Sequence, residues 1–179
     1  MIYTACIPSP VGELTLACEH DRIMGLWLSG QKYFGANLLK AAERMDDLPV
    51  FTVARQWLDS YFSGGQPSPF DLPLSPVGSA FRQAVWARLC AIPYGKITTY
   101  GEIAQELAEQ MEKSHMSAQA VGGAVGHNPI SIIIPCHRVV GANNSLTGYA
   151  GGLAVKKRLL ALEGVDISRL TSPSKGTAL

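Results

Sequence analysis

Ser117-Ala118-Gln119-Ala120-Val121-Gly122-Gly123-Ala124-Val125-Gly126-His127 is the stretch that decides the architecture of this chain. Ser117 is a helix-capping residue type, and the run after it predicts a helix from Ala118 to about His127. Gly122, Gly123 and Gly126 each cost such a helix about 1 kcal/mol relative to alanine. A helix carrying them needs a reason beyond local propensity. Two offer themselves: tight packing against neighbouring helices, or close approach of its backbone to a bulky ligand. Upstream, Thr99 and Glu102 have the S/T-x-x-E spacing of a capping box, followed by an apolar face of Ile103, Leu107 and Met111. Lys113-Ser114-His115-Met116 is the turn between the two. Helix, turn and helix together form a helix-turn-helix, whose second element commonly enters a nucleic-acid groove.

Further upstream, Ser79 caps a predicted helix from Ala80 to about Ala91 with Phe81, Val85, Trp86 and Leu89 on its apolar face. Residues 63–79 are rich in glycine and proline and read as a linker. Before them, Ile2–Ile7, Leu14–Cys18 and Ile23–Leu28 alternate as three strands with short connections, an antiparallel meander. A helix is expected over Val50–Tyr61, with Val53, Trp57, Leu58 and Tyr61 on one face. The expected fold is α/β: a small N-terminal α/β domain with an antiparallel sheet, then a mostly helical C-terminal domain containing the helix-turn-helix. The expected divisions are 1–79, 80–167 and a flexible tail at 168–179.

Bulk properties narrow the function. A chain of 179 residues is long enough for a sizeable core, and its composition is that of a soluble globular protein. No apolar run reaches membrane-spanning length, and the first residues lack a signal-peptide pattern, so a cytoplasmic monomer is expected. The net charge of +1 is unevenly spread. Residues 1–80 hold five Lys/Arg against eight Asp/Glu, while residues 81–164 hold eight against five. The second half is therefore the better partner for an anion. Cys6, Cys18, Cys90 and Cys136 form no CxxC pair and no zinc-finger spacing, so neither a metal site nor a cofactor is expected.

Chemistry concentrates after the third helix. Asn128-Pro129 closes that helix, Ile132-Ile133-Ile134 reads as a buried strand, and Pro135-Cys136-His137-Arg138 follows. A neighbouring base or cation lowers a thiol's pKa, and the thiolate is the nucleophile. Neighbours on a regular strand point to opposite faces, so contact between Cys136 and His137 needs a turn or a bridging water. Thr147-Gly148-Tyr149-Ala150-Gly151-Gly152 is a glycine-rich loop with no P-loop or dinucleotide pattern, and its tyrosine can wall a flat pocket. Glu163 closes the last helix, where a negative charge opposes the helix dipole. A carboxylate that orients an imidazole would explain it.

These blocks carry a recognisable pattern. Val85-Trp86, Ile92-Pro93-Tyr94-Gly95, Thr99-Tyr100, Ala120–Ala124, Asn128-Pro129, Ile133–Val140, Gly148–Gly152 and Leu162-Glu163-Gly164 resemble the O6-alkylguanine-DNA alkyltransferases, or methylated-DNA–protein-cysteine methyltransferases. The resemblance implies a ribonuclease-H-like N-terminal domain and single-turnover repair of double-stranded DNA. The second helix of the helix-turn-helix would bind the minor groove through Gln119, Ala120, Gly122 and Gly123, with Arg138 also facing DNA. A flipped O6-alkylguanine, or O4-alkylthymine, would give its alkyl group to Cys136. His137 would act as base, oriented by Glu163. Asn128 would tie the helix to the site, and Tyr100 would protonate the leaving base. Tyr149, Val139, Ala150, Gly151 and Lys156 would form the base pocket.

The chain departs from the pattern in four places. Gln119 stands where the family usually places an arginine that fills the gap left by the flipped base. The interval from Tyr100 to Val121 is about five residues longer, Ala150 replaces a common serine, and the zinc ligands of some members are incomplete. Three other readings fit parts of the sequence. A Cys-His hydrolase would turn over repeatedly. An alkyltransferase-like lesion-binding protein would typically replace Cys136 with tryptophan. A transcriptional regulator would be expected to direct long polar side chains at bases, and the third helix offers only Gln119 and His127.

Overall fold

A computed structural model describes residues 1–173. They divide into two compact units. The first comprises Met1–Val77 together with Pro129–Ile133, and the second comprises Gly78–Asn128 and Ile134 onward.

The first unit is built on strands β1 (Ile2–Ile7), β2 (Leu14–Glu19) and β3 (Arg22–Leu28), paired antiparallel as expected. His20 and Asp21 both adopt positive φ (49° and 56°) between β2 and β3, the twist a two-residue hairpin requires. A short β4 (Glu43–Arg44) adds to β1 in parallel, giving the order β3-β2-β1-β4. Neither β4 nor the 3-10 segment Phe34–Ala41 before it was expected, because two polar residues carry no alternation. The Trp27 indole lies across Gly25, where an added Cβ would sit 1.8 Å from the ring. Helix α1 (Pro49–Phe62) buries Val50, Phe51, Ala54, Trp57, Leu58 and Tyr61. Val53, expected on that face, is exposed: the buried stripe runs through 50, 54, 57, 58 and 61, and 53 lies beside it.

β3 is an edge strand, yet residues of two other segments pair with its free edge. Ile23 N–H donates to the Pro73 carbonyl and Ser75 N–H to the Ile23 carbonyl. Leu26 N–H donates to the Pro129 carbonyl (2.9 Å) and Ser131 N–H to the Leu26 carbonyl (2.8 Å). Edge strands left bare invite foreign pairing, and here the chain covers its own. A cut at residue 79 alone therefore misses the short excursion at 129–133.

The second unit begins with α2 (Ala80–Cys90), capped by Ser79, whose Oγ accepts from Arg82 N–H. Trp86 Nε1 donates to the Ala124 carbonyl (2.9 Å) and ties α2 to the Ser117-capped helix. β5 (Thr98–Thr99) leads into α3 (Tyr100–Gln110), with both arms of the Thr99–Glu102 capping box formed. α4 (Ala118–Gly126) follows, its first N–H groups capped by Ser117 Oγ. An ion pair between Arg88 and Glu106 adds to the α2–α3 packing. Beyond α4, β6 (Val139–Val140) pairs in parallel with β5, and α5 (Leu153–Leu162) ends at Glu163 and Gly164, the latter at φ 78°.

Two expectations fail here. Ile132-Ile133-Ile134 is a buried turn, with Ile132 at φ 71°, and not a strand. An apolar run of this length reads as strand, but a β-branched residue at positive φ cannot continue one. The start of the expected flexible tail is docked: Leu146 N–H donates to the Thr171 carbonyl, and Thr171 N–H to that of Asn144. The rest of that tail, 174–179, lies outside the described residues.

Candidate active site

The site, wholly within the second unit, grows from the break in the chain after Ile134. Pro135 is followed by one 3-10 turn, Cys136–Arg138, in place of extended strand. A tight turn lets adjacent side chains enter the same region, which the alternation of a strand forbids. Cys136, His137 and Arg138 are all buried there.

Asn128, at the end of α4, spans this turn. Its Nδ2 donates to the Ile134 carbonyl (2.9 Å) and to Cys136 Sγ (3.1 Å). The neighbourhood does not make a resting thiolate. Burial pushes the Cys136 thiol up, and the Asn128 hydrogen bond and the Lys156 charge only partly oppose it. The thiol therefore holds its proton until a base takes it.

His137 is the candidate base. Its Nε2 meets Glu163 Oε1 at 2.6 Å, and burial holds the imidazole below its usual pKa, so it is neutral at pH 7. Nε2 then carries the donated proton, which leaves Nδ1 as the basic nitrogen. Glu163 is surrounded by donors. Arg138 Nε donates to Oε2 (2.8 Å), Arg138 Nη2 to Oε1 (3.1 Å), and Gly95 N–H to Oε2 (3.1 Å). Burial by itself pushes the Glu163 carboxyl up, but its bonds to His137 and Arg138 outweigh that and bring it to about 2. With His137 neutral, Arg138 supplies the balancing positive charge. Gly95 reaches this position at φ 71°, where a Cβ would lie 2.8 Å from the Glu163 carbonyl oxygen.

Arg138 is therefore not a DNA contact. Its guanidinium is spent on Glu163 and the Ile92 carbonyl (2.6 Å), and it lies near the Tyr94 ring. The sequence presents a basic side chain beside a motif but not its burial. Tyr94 and Gly95, absent from the expected site residues, belong to this cluster, and their Tyr-Gly turn after Pro93 was the available signal.

Lys156 is fully buried on α5 and faces no carboxylate. Its Nζ donates to the carbonyls of Val139 (2.5 Å), Thr147 (2.8 Å) and Gly148 (3.2 Å), so all three ammonium protons are engaged within the protein. It is a strut that joins Val139 to the loop at Thr147 and Gly148. Burial lowers it to about 8, against the charge of Cys136. The Tyr100 hydroxyl donates to the Thr147 carbonyl (3.2 Å), one of the same acceptors. Burial first, then the charge of Cys136, pushes that phenol up to about 12. Tyr149, Ala150 and Gly151 lie in the turn closed by Gly152 N–H to the Tyr149 carbonyl. The buried Tyr149 hydroxyl has no hydrogen-bond partner among the described residues, a deficit worth about 1–3 kcal/mol.

On α4, Gln119 and Ala120 are exposed, Gly122 is buried and Gly123 is half-buried. A Cβ on Gly123 would meet nothing within 4 Å, and one on Gly122 would make only ordinary contact with Tyr100. Internal packing does not force glycine at either position. Among the described residues, no group of three or more His, Cys, Asp or Glu could hold a metal, and no helix is long and apolar enough to cross a membrane.

Family models described as "6-O-methylguanine DNA methyltransferase, DNA binding domain" and "6-O-methylguanine DNA methyltransferase, ribonuclease-like domain" match residues 80–165 and 2–76. The chain is 41% identical over 164 residues to a methylated-DNA–protein-cysteine methyltransferase of Haemophilus influenzae, covering 92% of this chain and 87% of the relative. It is 40% identical over 170 residues to one of the same name from Methanosarcina acetivorans, covering 91% and 99%. Among solved structures, Mycobacterium tuberculosis OGT in complex with DNA superposes with a TM-score of 0.79 at 41% identity, over 94% of each chain.

Proposed function

Because the chain belongs to the methylated-DNA–protein-cysteine methyltransferase family, we propose that Cys136 takes the alkyl group from O6-alkylguanine in duplex DNA and keeps it. Its activity is that of the family: repair of DNA by direct reversal of damage, with a protein cysteine as acceptor. The observation that carries the residue assignment is the His137–Glu163 contact of 2.6 Å in a buried site beside a thiol that Asn128 already holds.

The steps follow from the groups present. DNA approaches the exposed face of α4, where Gly123 presents bare backbone. The damaged base leaves the stack and enters the pocket beside Tyr149, whose unpartnered hydroxyl gains a polar atom to bond. His137 Nδ1 takes the Cys136 proton, through a water if needed, and Glu163 and Arg138 hold the resulting imidazolium pair near neutrality. Sγ attacks the alkyl carbon, the S–C bond forms, the C–O6 bond breaks, and its electron pair passes into the guanine ring. Tyr100 gives a proton to the leaving base and regains one from His137, so the thiol proton ends on guanine. A thioether has no route back to thiol here, which makes each molecule act once. A high resting thiol pKa suits this design, because an idle thiolate would be spent on stray electrophiles.

The rest of the reading is consistent with this. Residues 1–79 and 80–167 act as ribonuclease-like and DNA-binding domains, and the protein works as a cytoplasmic monomer. The deciding experiment gives the protein duplex DNA with radiolabelled O6-methylguanine. One label per molecule, abolished in Cys136→Ser, is the expected result. Repeated turnover, or binding of the lesion without transfer, would overturn it.

A further inference from the structure

The segment Pro129–Ile133 leaves the second unit immediately after Asn128 and returns immediately before Ile134. Those two residues are the ones bonded to each other, and Asn128 also holds Sγ. Whatever fixes the path of 129–133 therefore fixes where the donor to the nucleophile sits.

The first unit fixes it in three ways. Main-chain bonds to Leu26 at Pro129 and Ser131 pin its register. Ile130, Ile132 and Ile133 are each at most 1% exposed. Gln31 Oε1 accepts from Ser131 Oγ (3.2 Å) and from Leu28 N–H (2.7 Å), and both side chains are buried. Ile132 is held at φ 71°, a conformation a β-branched residue keeps only where its surroundings impose it. Gln31 thus joins the end of β3, through Leu28 N–H, to the segment, through Ser131 Oγ, in one buried bond pair.

We propose that Gln31 and Ser131 are positioning residues for alkyl transfer: by clamping 129–133 onto β3 they hold Asn128 against Cys136 Sγ. The inference rests on Cys136 being the nucleophile.

The test compares wild type, Gln31→Ala, Ser131→Ala and Val50→Ala as full-length proteins. Val50 is buried on α1, apart from the clamp, and serves as the destabilisation control. Transfer is followed in single turnover with methylated duplex DNA and with free O6-benzylguanine across pH. Modification of Cys136 by iodoacetamide is read in parallel by peptide mass spectrometry. Loss of one orienting hydrogen bond predicts about tenfold slower transfer in both clamp variants. The alkaline limb of both pH profiles should move to higher pH, because the Asn128 bond favours the thiolate. DNA affinity should stay at the wild-type value. Val50→Ala should keep the wild-type rate and profile at a lower denaturation midpoint. Clamp variants with wild-type rates and profiles would overturn the proposal, as would the same slowing in Val50→Ala. A wild type that reacts with iodoacetamide but not with methylated DNA refutes the functional reading instead, and the iodoacetamide profiles still decide the clamp.

Discussion

Replacing Glu163 by glutamine removes the charge on which the whole cluster converges. Its carboxylate accepts hydrogen bonds from His137, twice from Arg138, and from Gly95. It is buried, and its carboxyl is held at about 2 against an ordinary 4.5. At about 1.4 kcal/mol per unit, that depression amounts to roughly 3 kcal/mol of stability at neutral pH. Glu163→Gln also leaves the Arg138 guanidinium buried without a counter-charge, a situation that typically costs about 3–5 kcal/mol. The two figures describe the same loss from opposite sides and are not added. The sign with pH is fixed by the direction of the shift. A depressed carboxyl stabilises the fold above its unfolded pKa, and that stabilisation fades as pH falls from about 4.5 through about 2. Urea denaturation of both proteins at pH 6 and pH 3 should therefore show a gap of about 3 kcal/mol that narrows by roughly 2 kcal/mol at the lower pH. A gap that does not change with pH would refute the assignment of charge to this cluster. So would a glutamine variant as stable as wild type.

Other substitutions probe the remaining parts. Asn128→Ala removes the donor to Sγ, and transfer in single turnover should fall about tenfold, with its alkaline limb moving to higher pH. Lys156→Met tests the buried ammonium. The unfolded lysine keeps its proton to about 10.5 and the folded one only to about 8, so the stability of wild type relative to the variant should rise by roughly 2 kcal/mol between pH 8 and pH 10. The methionine variant should show no such gain in urea midpoints, and should react more slowly with O6-benzylguanine because its pocket loop loses a strut. Gly123→Ala should raise the melting temperature, since alanine favours helix by up to about 1 kcal/mol and the site has room. The same change should weaken duplex binding in a titration if α4 is the proposed DNA face, because the added methyl would stand on it. Gln119→Arg should speed repair of duplex DNA more than reaction with the free base, and equal effects would show that this position does not limit base flipping.

Much of the chain was legible because local rules govern it. The meander over residues 1–30 follows from alternation and short turns, and the helix-turn-helix from caps at Thr99 and Ser117 that the structure forms in full. The adjacency of Cys136, His137 and Arg138 is covalent, and Glu163 was conspicuous as a carboxylate at the wrong end of a helix. What no window of sequence contains is the company these groups keep. Arg138 reads as a basic residue for DNA until burial and two bonds to Glu163 show it balancing that carboxylate. Lys156 reads as a pocket residue until three carbonyls claim its protons. The Cys136 thiol reads as activated until its burial is counted, because desolvation depends on every element packed around a group. Ile132-Ile133-Ile134 shows the same division. Its apolar character determined that it would be buried, and nothing in three isoleucines distinguishes a strand from a turn. The turn shows only in the folded chain, in Ile132 at φ 71° beside a Ser131 bonded to Leu26 and Gln31, about a hundred residues away. The sequence by itself determined which chemistry this protein carries, and the tertiary structure decided which proton each group holds and which way it points. Identity and local propensity travel with the residue, whereas charge state and orientation belong to its surroundings.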